Sequence, residues 1–155
     1  MTAAPIFLLL LLADEQITRV VVEKAERKLS LMSGAKTVRQ YKVALGGAPV
    51  GAKERQGDHK TPEGTYTIDW KTKKSSYHWA LHVSYPNAED RARAKRLHVN
   101  PGGAIMIHGL PRKFSHLGAA HRAYDWTEGC VAVTDPEIEE IYKLVAVGTV
   151  VEIRP

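Results

Sequence analysis

Two stretches decide how this chain reads: Ala104-Ile-Met-Ile-His108-Gly109 and, after a long loop, Asp125-Trp-Thr-Glu-Gly129-Cys130-Val-Ala-Val-Thr134. Each contains a short β-type run. One run ends on a histidine; the other begins on Cys130, the only cysteine in the chain. A lone thiol, an upstream histidine and a glycine beside the thiol are the parts of a cysteine acyl-transfer site. The thiol attacks a carbonyl only as thiolate, and a free cysteine is mostly protonated at neutral pH. An imidazole within hydrogen-bonding reach can take that proton, which requires the strand ending at His108 to lie beside the one starting at Cys130. Gly129 lets the backbone approach a developing oxyanion, with the Cys130 N–H and those just before it as donors. The imidazole needs an orienting partner, and the Gly109 carbonyl is at hand. Against this stands the plain reading, in which Cys130 is a small buried hydrophobe and His108 a polar residue at a strand end.

Working outward, residues 17–23, 28–32 and 37–45 read as three strands in meander order, joined by tight turns. Residues 46–57 are a glycine-rich loop. Thr61-Pro62-Glu63-Gly64 is a turn signature. Residues 65–70 then form a strand with Tyr66, Ile68 and Trp70 on one face. Residues 77–83 form another, with Trp79, Leu81 and Val83 opposite His78 and His82. Asn87, with Asp90 three residues on, resembles a capping box and opens a helix to Leu97. Its basic residues Arg91, Arg93, Lys95 and Arg96 could hold a carboxylate, but a solvated helix face is the simpler reading. Residues 104–108 form the strand ending in His108. The loop 109–128 is long enough to suggest pocket wall and lid, with a short helix at 114–123. Residues 130–134 form a strand. Asp135 as N-cap and Pro136 in the first turn start a second helix whose buried face is Ile138, Ile141, Leu144 and Val145. Residues 149–153 close the fold as a last strand.

The totals fit one soluble domain. Across 155 residues the hydrophobic share is 44% and the charged share 25%. Lys+Arg of 22 against Asp+Glu of 17 gives a net charge of +5, which suits an anionic partner or simple solubility. A single cysteine allows no internal disulfide and no multi-cysteine zinc or iron–sulfur centre. His78 and His82 have a four-residue spacing, but on a strand they stand about 13 Å apart, too far to share a metal. The glycine-rich loop lacks the order of a phosphate-binding loop. Nucleic-acid binding rests on charge alone, with no motif behind it. Neither a cofactor nor a metal is expected. The apolar run at 6–13 is too short to span a membrane, so residues 1–13 are read as an export leader and 14–155 as the working domain.

These residues resemble the L,D-transpeptidase (YkuD-type) catalytic domain, in its YafK-like branch. The resemblance is carried by residues 30–46, by Gly57-Asp-His-Lys-Thr-Pro-Glu-Gly64, by Ser84-Tyr-Pro-Asn-Ala-Glu-Asp-Arg91, by Ile105-Met-Ile-His-Gly-Leu-Pro111 and by Asp125 to Thr134. The His-Gly and Thr-x-Gly-Cys elements are the specific ones, and the likeness spans nearly all of 17–155. It implies a mainly β fold, an antiparallel β-sandwich with one or two short helices. It implies an exported enzyme of the periplasm or cell envelope that acts on peptidoglycan stem peptides, with Cys130 as nucleophile and His108 as base. The Gly109 carbonyl would orient the ring, and Gly129 would belong to the oxyanion hole. In the family reaction the cysteine releases a terminal D-alanine from a stem tetrapeptide. The acyl group then passes to an amine, usually that of a diamino acid on a second stem, which forms a cross-link; an amine on an envelope protein would attach that protein instead.

The chain departs from the family pattern at two positions. Glu128 stands where a histidine usually precedes Gly-Cys, and Val131 follows the cysteine where a polar residue is usual. Substrate contacts are therefore expected from His121, Arg122, Asp125 and Thr127. Trp126 is equally readable as a stacking platform for substrate or as a core anchor. Two alternatives stay open: a hydrolase that detaches groups from the same diamino acid, and a non-catalytic cell-wall binding domain.

Overall fold

A computed structural model describes residues 15–155. The leader expected at 1–13 lies outside the described residues. The strands are β1 (Arg19–Glu23), β2 (Lys28–Ser33), β3 (Lys36–Lys42), β4 (Gly64–Ser75), β5 (His78–Val83), β6 (Met106–His108), β7 (Val131–Ala132) and β8 (Val150–Arg154). Two helices, α1 (Ala88–Leu97) and α2 (Asp135–Leu144), and a 3₁₀ segment (Arg112–Ala123) complete it. The architecture is mainly β with short helices, as expected.

The strands run in the order β3-β2-β1-β8-β4-β5-β6-β7. β4 is long and belongs to both halves of this array, pairing with β8 at its start and with β5 beyond. The two ends come together through bridges Ala44↔Ala132 and Gly46↔Thr127, so the array closes on itself. One core fills the interior. Val20, Val22, Leu29 and Leu31 from the first half meet Ile105, Ile107, Val131 and Val133 from the second, with Ile138 and Ile141 of α2 among them.

The sheet is mixed, not purely antiparallel. β8 lies parallel to β1 and β7 parallel to β6. The reason is connectivity: the segment between β6 and β7 crosses back so that both run the same way, and α2 carries the chain across after β7, so β8 enters between β1 and β4 instead of turning back on its predecessor. Five further expectations shift. The strand expected over 37–45 ends at Lys42, and the one over 104–108 begins only at Met106, because Ala104 takes a left-handed conformation (φ 55°). Trp70 does not share a face with Ile68, because the register breaks between them. Asp69 is the extra residue, and a bulge of this kind re-aims the next side chain. β4 also continues five residues past Trp70. Its Lys71 donates to the Tyr142 and Val145 carbonyls at 2.8 and 2.9 Å, where α2 ends and its last carbonyls lack helical partners. Finally, Thr134 and not Asp135 caps α2, in a capping box with Glu137. That leaves the Asp135 carboxylate free to accept from the Leu110 N–H at 2.8 Å. The capping box at Asn87 and Asp90 forms as read.

Candidate active site

The parallel pairing of β6 with β7 sets His108 opposite Ala132 and Ile107 opposite Val131. Ile107 and Val131 point into the core, so His108 points to the other face of the sheet. Cys130 comes immediately before β7. It is one strand away from His108 and two residues along, roughly 8 Å between Cα atoms. Both side chains line a single cavity of about 690 Å³.

His108 is buried and its ring is fixed. Nδ1 lies 2.7 Å from the Gly109 carbonyl. A carbonyl only accepts, so Nδ1 carries the proton and Nε2 is the free acceptor in the neutral ring. Tyr77 stacks on the imidazole at 4.4 Å between centroids, and Trp126 tilts against it at 5.9 Å. Burial pulls the His108 pKa down to about 4, with the Gly109 carbonyl opposing and His121 adding to the shift.

Cys130 is half-buried. Its sulfur lies 3.4 Å from the Met106 N–H, from which it accepts, and 3.4 Å from the Ala104 carbonyl, to which it donates. Burial raises the thiol pKa. The Met106 N–H works against this, Glu128 adds to it, and Lys53 opposes. Both shifts, each caused chiefly by burial, favour thiol and neutral imidazole over an ion pair.

The turn before the cysteine is tied together by Thr127. Its Oγ1 accepts from the Gly129 N–H at 3.1 Å and donates to the Cys130 carbonyl at 2.7 Å. Gly129 sits at φ 143°, and a Cβ there would come within 2.7 Å of the Lys60 carbonyl oxygen. Glycine is thus required both by conformation and by the close approach of a neighbouring backbone. The Gly129 N–H is committed to Thr127. The Cys130 N–H makes no hydrogen bond among the described residues.

The residues expected to touch substrate separate into two groups. Trp126 and Thr127 line the cavity with His108 and Cys130. Asp125 does not. It is gripped by Arg27 through Nε at 3.0 Å and Nη2 at 2.8 Å, and it accepts from the Leu45 N–H at 3.0 Å. It pins the cysteine loop to the end of β3. Arg122 faces Glu137 at 3.5 Å. His121 is buried behind Trp126, whose Nε1 donates to His121 Nδ1 at 3.2 Å. His121 belongs to a second, apolar cavity of about 380 Å³ lined by the 3₁₀ segment, with Trp126 as the wall it shares with the first.

Sequence reasoning missed the opposite wall. Lys53, Gln56 and Gly57 come from the glycine-rich loop, and Asn100, Gly102, Gly103, Ala104 and Ile105 from the segment before β6. The loop is also better anchored than its composition suggests. The Asp58 carboxylate accepts from Lys53 at 2.9 Å and from the N–H groups of Glu54, Arg55 and Lys60. Burial pushes that carboxyl up, but these donors outweigh it and hold its pKa at about 2. The buried Lys24 ties down the same loop by donating to the Gly51 and Thr61 carbonyls, each at 2.8 Å. The only signal in the sequence was the density of glycines. No cluster of three or more His, Cys, Asp or Glu suited to a metal occurs among the described residues. No helix among them is long and apolar enough to cross a membrane.

Comparison with known proteins adds a family to this geometry. The model of the YkuD L,D-transpeptidase catalytic domain matches residues 17–153. The chain belongs to the YkuD family. YafK of Escherichia coli K12, named as an L,D-transpeptidase, is 35% identical over 107 residues, which is 68% of this chain and 36% of YafK. Among solved structures, Pgp2 of Campylobacter jejuni, described as a helical cell shape determining protein, superposes with a TM-score of 0.70 at 26% identity. That match covers 90% of this chain and 48% of Pgp2. Bd1075 of Bdellovibrio bacteriovorus shares the fold with a TM-score of 0.62 at 24% identity, over 89% of this chain and 48% of its own. The YkuD domain described here therefore spans about a third of YafK and about half of Pgp2.

Proposed function

We propose that this YkuD domain is a cysteine acyltransferase of the cell envelope that acts on peptidoglycan stem peptides. The observation that carries the reading is the shared cavity, with Cys130 at the head of β7 and, on the neighbouring β6, His108 held by the Gly109 carbonyl so that Nε2 is free. In the proposed first half-reaction, Cys130 attacks the carbonyl before the terminal D-alanine as Nε2 takes the thiol proton. Nε2, free to accept, is placed to take the thiol proton as the carbonyl is attacked. The Cys130 N–H, uncommitted at rest, is the proposed first donor to the oxyanion. Gly129 contributes by letting the turn exist, since its own N–H serves Thr127. The imidazolium returns its proton to the departing D-alanine amine, leaving an acyl-enzyme.

In the second half-reaction an amine of a diamino acid on another stem attacks the thioester. Glu128 favours this acceptor over water. Its exposed carboxylate lines the cavity beside the thiol and forms no ion pair among the described residues. It can draw in a protonated amine; His108 Nε2, neutral again once D-alanine has left, takes the attacking amine's proton and returns it to the departing Cys130 sulfur. Such a substrate places the working protein in the periplasm or cell envelope, where an envelope protein bearing a suitable amine is a further acceptor.

The test is incubation with defined tetrapeptide muropeptides and mass spectrometry of the products. Loss of D-alanine with formation of cross-linked dimers is expected, and Cys130→Ala should abolish both. Turnover that survives in Cys130→Ala would refute the mechanism. D-Alanine release without dimers would assign the acceptor as water, and binding without any product would leave a non-catalytic wall-binding domain.

A further inference from the structure

The bulge at Asp69 does more than end a regular register. It turns Trp70 out of the core, where alternation from Ile68 would otherwise keep this part of β4 in step. The indole is 43% exposed, an unusual place for so large an apolar surface on a strand. It is also supported. Its cross-strand partner His82 stacks beneath it at 4.8 Å between centroids, with the rings 12° from parallel. His82 is in turn held by Asp69, Nδ1 to Oδ1 at 2.5 Å. The second Asp69 oxygen, on a carboxylate 41% exposed, makes no hydrogen bond among the described residues. An aromatic plane braced from below, with a free carboxylate oxygen at its edge, is built like a platform.

Its position relates it to the thiol. Trp70 pairs with His82, and His82 pairs with Met106. The Met106 N–H meets the Cys130 sulfur. Side chains in one cross-strand row lie on one face, and Met106 and His108 alternate with the core residue Ile107. The bulge therefore places Trp70 on the catalytic face, three strand spacings from the thiol, or about 14 Å. In the proposed substrate, three residues of stem separate the sugar from the bond that is cut. Extended, they span roughly 10–11 Å. The linkage to the sugar covers the remainder.

We propose that Trp70 is a glycan subsite: a pyranose ring of the polymer that bears the stem peptide packs its C–H face on the indole, and Asp69 accepts from a sugar hydroxyl. This rests on the reading of the domain as a peptidoglycan acyltransferase. It adds a contact to the sugar, remote from the reacting carbonyl.

The experiment compares two donors, a disaccharide tetrapeptide and the same tetrapeptide without sugar. Trp70→Ala should raise KM for the sugar-bearing donor by about two- to tenfold, the scale of one aromatic stacking contact. It should leave kcat, and KM for the free peptide, unchanged. Trp70→Phe should restore most of the loss. Equal effects on both donors, or none on either, would overturn the subsite. Sugar contact is read separately by NMR, in which the peptide-free disaccharide should shift the Trp70 indole N–H signal. If wild-type protein turns over neither donor yet this signal moves, the acyltransferase reading fails and the glycan contact stands. If turnover occurs and the signal does not respond, the contact fails alone.

Discussion

Removing one hydroxyl should loosen the cysteine turn measurably. Thr127 is 6% exposed, and its Oγ1 is both acceptor for the Gly129 N–H and donor to the Cys130 carbonyl. Thr127→Val keeps the shape and the β-branching but deletes both bonds. Each bond contributes about 1 kcal/mol net, and each buried backbone group left without a partner costs about 1–3 kcal/mol. Some relaxation toward the cavity lets water reach part of the turn, so the expected loss is about 2–4 kcal/mol. For a domain of this size that is roughly 5–15 °C in Tm. Thermal and urea unfolding of Thr127→Val, Thr127→Ser and wild type would measure it. Serine keeps the hydroxyl and should stay within about 1 kcal/mol of wild type. Activity should fall further than stability, because the carbonyl and N–H released are those of the proposed nucleophile and its neighbour. If Thr127→Val unfolds within about 0.5 kcal/mol of wild type, the two hydrogen bonds do not hold the turn and the argument is wrong.

Electrostatics around the thiol and the imidazole give two more expected outcomes. Glu128→Gln removes a negative charge that raises the Cys130 pKa. Iodoacetamide labelling of the thiol should then show its midpoint displaced downward, only slightly because the carboxylate is exposed; an upward displacement would contradict the placement of Glu128 beside the sulfur. His108 gives the domain an acid sensitivity of definite sign. Its folded pKa is depressed to about 4 from 6.5, so between these values the unfolded chain binds a proton that the folded one refuses. Stability contributed by the neutral ring is present above pH 6.5 and is lost as pH falls toward 4, amounting to about 3 kcal/mol at most. Urea midpoints measured across this range for wild type and His108→Gln should diverge, with wild type the more acid-sensitive.

The sequence determined most of the local structure and singled out the candidate site. The β-branched runs, the turn residues and the capping box at Asn87 are local preferences, set within a few residues; the capping box formed as read and the strands formed with their ends moved by up to five residues. The pair of His108 and Cys130 was legible because nucleophilic catalysis needs specific side chains, and there is only one thiol to choose. Local patterning misjudged places where a distant partner decides. Asp125 looks like a pocket residue until Arg27, which is 98 positions away, takes its carboxylate. Lys71 lies past the strand read at 65–70, yet β4 runs through it and its ammonium meets the carbonyls at the end of α2.

Only the tertiary structure decided which walls enclose the thiol. The glycine-rich loop and the 100–105 turn form one side, while the long loop from Gly109 divides its residues between this cavity and the one behind Trp126. Only the structure showed the strand order, with β8 parallel between β1 and β4, and the single-residue bulge that turns Trp70 to the catalytic face. The physical reason is the same in each case. Alternation and capping are properties of neighbours along the chain, whereas register, closure and the pairing of buried charges depend on groups that meet only once the sheet has closed.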